Sequence, residues 1–583
     1  MEFERVGGKA VSRRRFLGLT GAAAGAAGLA AAGCGGGSKK LTPTARSNQE
    51  PGNTAAAAGS PTAQAGDPKL GQTLQYTGFV VSDGIFDPHK TQSGPFYGQQ
   101  ALVFSRLLSY ANMGDDTIVP DLAQALPEQP DDKTITFRLN PNAHWDDRDP
   151  LKGRAVTSQD VQFSIQRQAA SDASFVRASQ WANIDTMETP NDHTITFHLK
   201  APFAGILDAF ANVNAFIVAP EMVANGATFT SDNQMGSGPF KWVDWSENQF
   251  ASVSRNPNWF GGNKRPFLDG ITLTQPKDST QVEGDLRVKK LDVASVGRPQ
   301  ADELRQAIPA LQQSTIGHSL FFGMRFFLPT APFDDGRVRQ ALSQALDRRD
   351  MIQQFFAGSG QMNPWISWPS RKWTLPQTEL VTLPGYRAGT AGRAQDISEA
   401  VAMLAAYTAA GNKLPDPFNL YVLDQAESVL KMGTIMRDQL KASLGLNITV
   451  FPVSNAQMGS GLLDGSYAWA AAPDDGWVDL DDWIFPYFHS TGTKNTFPLR
   501  NKDMDTLIES QRTELDPAKR QQIGYDIQRN LLVINAGVNF VSETVVSLAW
   551  PYVRQFPLDT ADGYQNRFAD CYIDQTDPTF RGR

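Results

Sequence analysis

The segment Pro473–Trp483, PDDGWVDLDDW, has the most unusual local composition in the chain, with five aspartates and two tryptophans. A carboxylate can balance a buried cation, and a pair closed off from water discriminates strongly between charged and neutral ligands. The segment is therefore a candidate ligand site, and a solvated acidic loop is the alternative. The candidate contacts are Asp475, Gly476 and Trp477, whereas we expect a solvated loop position for Asp479, Asp481 and Asp482.

A second candidate is the segment Thr77–Phe86, TGFVVSDGIF, which follows the first strand of the folded part. In α/β proteins, ligands bind at loops that follow the carboxyl ends of strands. Backbone groups in such a loop can bond an extended peptide in the manner of an added strand. A plain turn is the alternative. The candidate contacts are Ser82, Asp83, Gly84 and Phe86.

Three tryptophans, Trp365, Trp368 and Trp373, fall close together in a third segment. Indole rings can stack on a sugar or an aromatic ligand. A packed loop cover is the alternative, and we favour it.

Other reactive residue types do not form recognisable sites. The six histidines lack the spacing of metal ligands, so we predict no metal site and no cofactor. No Gly-rich Walker loop occurs, so the chain is not expected to hydrolyse ATP. The two cysteines are Cys34 and Cys571; we expect no disulfide within the chain, and a buried apolar role for Cys571.

The first 34 residues have the features of an export signal. Arg13 and Arg14 precede a short run rich in Ala and Gly, as in a twin-arginine export signal. The run, Gly18–Gly33, is too weakly apolar to span a bilayer, and Cys34 directly after it is a candidate for lipidation. A plain signal peptide cut within Ala30–Ala32 is the alternative. We therefore assign 1–33 to a signal peptide and predict an extracytoplasmic, membrane-anchored protein.

Residues 34–66 comprise this cysteine and a tether. The stretch after Cys34 has one Leu and no aromatic residue, so it cannot bury enough apolar surface to offset its ordering entropy. We expect a flexible spacer with a reach on the order of 30 Å.

The overall composition of the chain is that of an ordinary soluble protein. Hydrophobic residues are 41% and charged residues 20% of the chain, and the length allows two or three lobes with large cores. The net charge of −8, without a cluster of Lys and Arg beside aromatic residues, argues against a nucleic-acid partner.

Elements that could position the candidate sites alternate between strands and helices. Thr134–Leu139 and Thr194–Leu199 both alternate with a period of two and predict half-buried strands that are neighbours in one sheet. Thr157, with Asp160 three residues on, predicts a helix start.

The second half of the chain shows the same alternation. Helices are predicted from Asp396 to Ala410, closed by Gly411, from Glu427 to Leu444, stopped by Gly445, and after the N-cap pair Asp516-Pro517. Asn447–Phe451 is predicted to be a strand. This order indicates an α/β body with at least two lobes.

A series of short motifs resembles the dipeptide-, oligopeptide- and nickel-binding proteins of ABC importers, the extracellular solute-binding proteins of family 5. The resemblance covers about Leu74 to Val553, and no single motif decides it; their shared order does. The motifs are Asp87-Pro-His89, Leu107-Leu-Ser-Tyr110, Val119-Pro-Asp-Leu-Ala123, Lys133–Leu139, Val156-Thr-Ser-Gln-Asp-Val161, Gly236-Ser-Gly-Pro-Phe-Lys241, Arg255-Asn-Pro-Asn-Trp-Phe-Gly261, Val338–Arg348, Asp503–Ile508 and the helix from Asp516.

The resemblance implies a two-lobed periplasmic-binding-protein-like α/β fold with an extra subdomain inserted in the first lobe and a ligand cleft between the lobes. We map the first lobe to 67–112, 230–315 and 545–583, the inserted subdomain to 113–229, and the second lobe to 316–544.

The resemblance also implies a role for Asp475, because family members pair an aspartate in this loop with the α-ammonium of the ligand. Here Asp475 lies four residues before Asp479, one more than the family spacing, and Leu480 replaces the usual Pro. Two further departures are Trp145–Asp149, where the family usually has Asp-Gly, and Gln361–Gly392, which carries no family pattern.

The function implied is that of a receptor without catalytic activity. It would be a monomer that captures a peptide-like or similar polar solute and delivers it to a membrane permease whose ATPase subunits are other chains. An oligosaccharide-binding member of the same family is one alternative. A secreted glycoside hydrolase using paired carboxylates from 474–482 is another.

Overall fold

The computed structural model describes residues 70–112, 116–170, 172, 174–175, 177–224, 227–262, 264–424, 427–474, 476–558 and 565–581. The signal, Cys34 and the tether lie outside these ranges. The strands are β1 (Thr73–Thr77), β2 (Leu108–Asn112), β3 (Thr117–Pro120), β4 (Thr134–Arg138), β5 (Ile184–Asn191), β6 (Thr194–Leu199), β7 (Phe240–Ser246), β8 (Phe250–Arg255), β9 (Gly270–Thr274), β10 (Val293–Val296), β11 (Gln312–Phe326), β12 (Gln361–Met362), β13 (Phe418–Leu423), β14 (Ile448–Val453), β15 (Trp469–Asp474), β16 (Gly537–Ala549), β17 (Val553–Arg554) and β18 (Tyr572–Ile573).

The helices alternate with these strands along the chain. They are α1 (Gly94–Gln100), α2 (Ser158–Gln168), α3 (Ala178–Trp181), α4 (Ile206–Ala211), α5 (Ser279–Arg287), α6 (Arg298–Ala307), α7 (Gly336–Ala345), α8 (Arg348–Phe356), α9 (Gln377–Leu380), α10 (Gly389–Ala409), α11 (Glu427–Leu444), α12 (Asn455–Asp464), α13 (Leu480–Phe488), α14 (Lys502–Thr513) and α15 (Pro517–Ile534). Among the residues described, none of these helices combines the length and the apolarity needed to cross a bilayer.

The main sheet has the strand order β14-β13-β15-β11-β16-β10-β1-β9-β8-β7. Its two longest strands, β11 and β16, pair with each other in antiparallel fashion along most of their length. At one end β16 also pairs with β10, and at the other end β11 also pairs with β15. The two strands therefore connect the β1 and β7–β10 part of the sheet to the β13–β15 part.

Sequence signals at helix ends agree closely with the structure. Thr157 and Asp160 form a capping box at the start of α2, and the Asp516 carboxylate accepts the first backbone N–H groups of α15. The helix Glu427–Leu444 is confirmed, and Gly445 after it has a φ of +68°, the left-handed conformation that glycine adopts without steric cost.

One predicted boundary is wrong. The helix expected from Asp396 begins at Gly389, about two turns earlier, and Asp396 lies inside it and accepts a hydrogen bond from Arg387 Nη1 at 2.6 Å. The first residues of this helix lack apolar periodicity, so the sequence pattern began only where the helix meets the core.

The two alternating strands are neighbours, as predicted. In the three-stranded sheet β4-β6-β5, Phe137 lies opposite Ile195 and Ile135 opposite Phe197, and all four side chains are buried. Cys571 is also buried, as expected.

Two of the short motifs have clear structural roles. Asp87 forms an ion pair with Arg167, and His89 is completely buried, donating from Nε2 to the carbonyl oxygen of Phe216 at 2.7 Å. At Gly238, a Cβ would lie 2.5 Å from the Val103 carbonyl oxygen, so only glycine permits the observed approach of the two chain segments.

Candidate functional site

The carboxyl ends of two groups of strands face the middle of β11 and β16, which we call the crossing strands because they connect the two parts of the main sheet. The parallel strands β1 and β10 end at Thr77 and Val296, and Val296 lies opposite Val546, toward the centre of β16. From the other side, β13 and β15 are parallel, and the last residue of β15, Asp474, lies opposite Phe321 near the centre of β11. In α/β sheets such strand ends surround ligand sites. The loops after β1 and β15, both singled out by the sequence, leave from these ends.

The carboxylate of Asp474 is already balanced by protein cations. Arg325 forms an ion pair with it from the neighbouring strand, and Lys494 Nζ lies 3.6 Å from its other oxygen. A further cation would therefore find little net charge at Asp474. The next residue, Asp475, lies outside the described residues, so its role stays a prediction.

Trp477 is buried and packs between Arg177, which directly precedes α3, and residues of α13. The guanidinium carbon of Arg177 lies 3.9 Å from the ring centroid and Lys494 Nζ lies 4.8 Å from it. The indole N–H donates to the hydroxyl of Tyr487 at 3.2 Å, and the Trp477 carbonyl accepts from Trp483 Nε1 at 2.9 Å. Trp477 thus helps hold the segment that begins α3 against α13, and Gly476 directly precedes it in the chain.

The expectation that Asp479, Asp481 and Asp482 lie on a solvated loop is wrong, because all three side chains are buried. Burial of a carboxylate requires a counter-charge, and each has its own arginine. The pairs are Asp479 with Arg520 at 2.7 and 2.8 Å, Asp481 with Arg512 at 2.9 Å through both nitrogens, and Asp482 with Arg177 at 2.8 Å.

Asp482 joins α13 to residues at α3 and at the end of α4. Besides Arg177 it accepts from Gln180 Nε2 at 2.6 Å and from Asn212 Nδ2 at 2.5 Å. Burial raises the pKa of Asp482 to about 6, although the charge of Arg177 opposes this shift. Arg512 also contacts the segment before α4, because its backbone carbonyl accepts from the Ala204 N–H at 2.7 Å.

Polar side chains in the loop after β1 mostly shape the loop itself. Ser82 Oγ accepts from the N–H of Gly84, which has a φ of +78°. The Asp83 carboxylate accepts from the Thr91 hydroxyl at 2.9 Å and from the Gln92 N–H at 2.7 Å.

Apolar side chains of the same loop divide into anchored and exposed ones. Phe86 packs edge-to-face on Phe96 and Trp245, with ring centroids 5.4 and 5.5 Å away. Phe79 is 67% exposed and Ile85 is 40% exposed, which leaves apolar surface available beside the cleft. The sequence analysis did not single out these two residues, because one apolar side chain in a loop gives no periodic signal.

The three tryptophans beyond β12 form part of a packed cover. Trp365 is buried and donates to the Trp483 carbonyl at 2.8 Å, and Trp373 is buried beneath the guanidinium of Arg520. Trp368 is half-buried. The favoured interpretation, a loop cover, agrees with these positions.

Glu543 is a charged residue near the middle of β16, and it is not among the site residues predicted from the sequence. It lies in β16 opposite a bulge of β11, where residues 318–320 face this single position. The side chain is half-buried, and burial raises its pKa while the nearby His318 opposes the rise. The sequence signal that could have identified Glu543 is that it is the single charged residue in the strand Gly537–Ala549.

One oxygen from each of three carboxylates, those of Asp116, Asp208 and Asp479, lies within 4.8 Å of the others. Clusters of this kind can hold a cation. Here Lys372 already donates to Asp116 at 2.5 Å, and Arg520 pairs with Asp479. A metal ion would therefore meet two positive charges, and the residues fit a metal poorly.

Comparison with known proteins identifies the family of the chain and supports its fold. The model of "Bacterial extracellular solute-binding proteins, family 5 Middle" matches residues 117–496. A putative ABC transporter peptide-binding protein of Brucella ovis is 28% identical over 298 residues, which is 49% of this chain and 53% of that protein. The chain spans about half the length of the curated relatives it matches.

Solved structures match over most of the chain. The oligopeptide-binding protein AppA of Bacillus subtilis, in complex with a nonapeptide, superposes with a TM-score of 0.73 at 17% identity, over 87% of this chain and 99% of that one. The binding protein AgaA of A. tumefaciens, in complex with agropinic acid, gives 0.69 at 20% identity, over 86% and 98%. At these identities the likeness shows the fold, and it confirms the predicted two-lobed α/β architecture with a cleft between the lobes.

Proposed function

This chain belongs to the bacterial extracellular solute-binding proteins of family 5, and we propose that it is the extracytoplasmic binding component of an ABC importer for a peptide or a similar small polar solute. It closes two lobes over the solute and delivers it to a membrane permease. The observation that carries the proposal is the placement of the loops after β1 and β15 at strand ends that face the same crossing strands. Ligand contacts from both lobes then favour the closed form over the open form.

Residue ranges of the lobes remain part of the proposal. Strands β1 and β7–β10 fall in 67–112 and 230–315, the β4-β6-β5 sheet falls in the inserted subdomain 113–229, and β13–β15 fall in the second lobe 316–544. The proposed boundaries at 315/316 and 544/545 each lie within a crossing strand, which suits a hinge.

Peptide is the first ligand candidate. The relative from Brucella ovis is named as a peptide-binding protein, and AppA is named as an oligopeptide-binding protein. AgaA, which has the same fold, was solved in complex with agropinic acid, and an oligosaccharide stays the second candidate ligand for this chain. The candidate contacts Asp475, Gly476, Trp477, Ser82, Asp83, Gly84 and Phe86 stand as proposals for both.

Native mass spectrometry of the purified full-length chain tests this function. We expect an adduct with the mass of a small solute, released on denaturation and identified as a peptide by fragmentation. A released sugar would move the chain to the second candidate, and protein free of any solute under all growth conditions would argue against the receptor.

A hydrolase function has little support in the acidic segment. Paired carboxylates that act as acid and base must be accessible to substrate and water, yet Asp479, Asp481 and Asp482 are buried in ion pairs with arginines. We therefore propose that the chain is not an enzyme. Release of reducing ends from oligosaccharides by the purified protein would contradict that.

Export and anchoring are proposed from Arg13, Arg14 and Cys34, which lie outside the described residues. Changing both arginines to lysine should block export, and Cys34→Ala should release exported protein from the membrane. Cell fractionation and immunoblotting measure both. Normal export of the double lysine variant would mean that the pathway is misassigned.

A further inference from the structure

The carboxylate cluster of Asp116, Asp208 and Asp479 lies across the contact between two parts of the chain. Asp116 precedes β3 and Asp208 lies in α4, both within the proposed inserted subdomain, whereas Asp479 caps α13 in the proposed second lobe. The approach is close, because a Cβ on Gly205 would lie 2.9 Å from an Asp479 oxygen. If the lobes move apart, this contact separates.

The charges in the cluster do not balance. Among the residues that the structure describes, Arg520 neutralises Asp479 and Lys372 neutralises Asp116, while Asp208 accepts a neutral hydrogen bond from the hydroxyl of Tyr110 at 2.8 Å. Three carboxylates against two cations leave one negative charge in a buried place, where an unbalanced charge is costly.

Asp116 supplies an independent observation. Its side chain is only 4% exposed, and its Oδ1 atom is buried without a hydrogen-bond donor from any described residue. A protonated Asp208 can donate to that oxygen, whereas two ionised carboxylates repel each other. Burial, followed by the charges of Asp116 and Asp479, raises the pKa of Asp208 well above the ordinary range, and Arg520 opposes without reversing this.

We propose that this cluster is a proton-binding site that latches the inserted subdomain to the second lobe, with one proton held by Asp208 and donated toward Asp116 when the lobes are closed. Opening exposes Asp208 to water, where an aspartate ionises near pH 4. Closing therefore takes up a proton, and a falling pH favours the closed form. The inference rests on the lobe movement of the proposed function.

The other charged groups that the structure describes at this contact have partners of opposite charge. Burial alone would raise the pKa of Asp479, but Arg520 outweighs it and holds the pKa below the ordinary value. Asp116 keeps the pKa of Lys372 above its ordinary value despite burial. Asp481 is paired with Arg512, and Asp482, paired with Arg177, titrates near pH 6. Asp482 contributes equally to the wild type and to Asp208 variants, so a comparison between them cancels its effect.

The pH dependence of unfolding tests the proton. The unfolding equilibrium constant is measured for the wild-type full-length chain and for Asp208→Asn across a range of pH. Above pH 5, the ratio of the wild-type constant to the variant constant should rise about tenfold per pH unit, until the pH reaches the native pKa of Asp208. Asparagine keeps a donor for Asp116 and cannot ionise. Asp146→Asn, which alters a buried carboxylate paired with Arg148 outside the cluster, should follow the wild-type pH profile. Parallel profiles for wild type and Asp208→Asn would overturn the proposal.

Small-angle X-ray scattering of ligand-free protein tests the latch. At pH 8, Asp208→Asn should be more compact than wild type, and at pH 5 the two should agree. Equal radii of gyration at both pH values would overturn the latch. Compaction of the wild type by Ca²⁺ instead of acid would replace the proton with a metal. Solute retained in native mass spectrometry would support the receptor whichever way these measurements turn, so the two proposals fail separately.

Discussion

A carboxylate that recognises a cationic ligand must not already be balanced by the protein. Within the acidic segment, Asp474, Asp479, Asp481 and Asp482 all have cationic partners. Asp475 lies outside the described residues and stays the proposed partner of an incoming ammonium group.

Asp475→Asn should weaken binding of a peptide with a free amino terminus by about 2 kcal/mol, or about 30-fold in Kd, the magnitude of a hydrogen bond to a charged group. Isothermal titration calorimetry measures it. The N-acetylated form of the same peptide should be insensitive to the change, and the exposed Glu303→Gln should have no effect. Equal affinity of wild type and Asp475→Asn for the free peptide would remove Asp475 from the site.

His89 gives the protein a specific acid sensitivity. Burial, aided by the charge of Arg167, lowers the pKa of His89 to about 4, against about 6.5 in an unfolded chain. Between these pH values the unfolded state binds the proton and the folded state does not. Stability should therefore be complete above pH 6.5 and fall by a few kcal/mol on the way to pH 4.

Urea unfolding at pH 7, 6, 5 and 4 measures this loss. A neutral variant, His89→Gln, should show a shallower decline, while His144→Gln, which alters an exposed histidine, should decline like the wild type. A wild-type decline no steeper than that of His89→Gln would contradict the assignment.

Sequence reasoning at the scale of elements succeeded where one local signal sets a boundary. Caps and terminal glycines placed α11 and the start of α15, and period-two alternation placed β4 and β6. It failed at α10, whose first turns carry no apolar stripe and are fixed by the Arg387–Asp396 bond and neighbouring packing.

Gly238 lies against the backbone of Val103, so the packing of these two chain segments depends on this glycine. Gly238→Ala should destabilise the protein by more than about 2 kcal/mol, because the added Cβ would lie within 3 Å of the backbone at Val103, a form of overpacking. Gly284→Ala is the matched control: this glycine lies in α5 with open space around it, so alanine should stabilise by about 0.5–1 kcal/mol. Chemical unfolding measures both; a neutral Gly238→Ala would refute the packing argument.

At the scale of the whole molecule, the order of motifs was enough to predict two lobes and an inserted subdomain. The contacts between them could not be predicted. Arg177 and Asp482 are 305 positions apart, and Lys372 and Asp116 are 256 apart. No local pattern connects such residues, so the aspartates of the acidic segment looked like a solvated loop until their arginines were located in space.

The central claim is that the two lobes enclose a solute and separate when it leaves. Small-angle X-ray scattering of the protein as purified, compared with the same protein after denaturation, removal of bound small molecules and refolding, tests it most directly. We predict a larger radius of gyration for the refolded, solute-free protein and a return to the original value when the released solute is added back. An identical radius of gyration in all three samples would contradict the account.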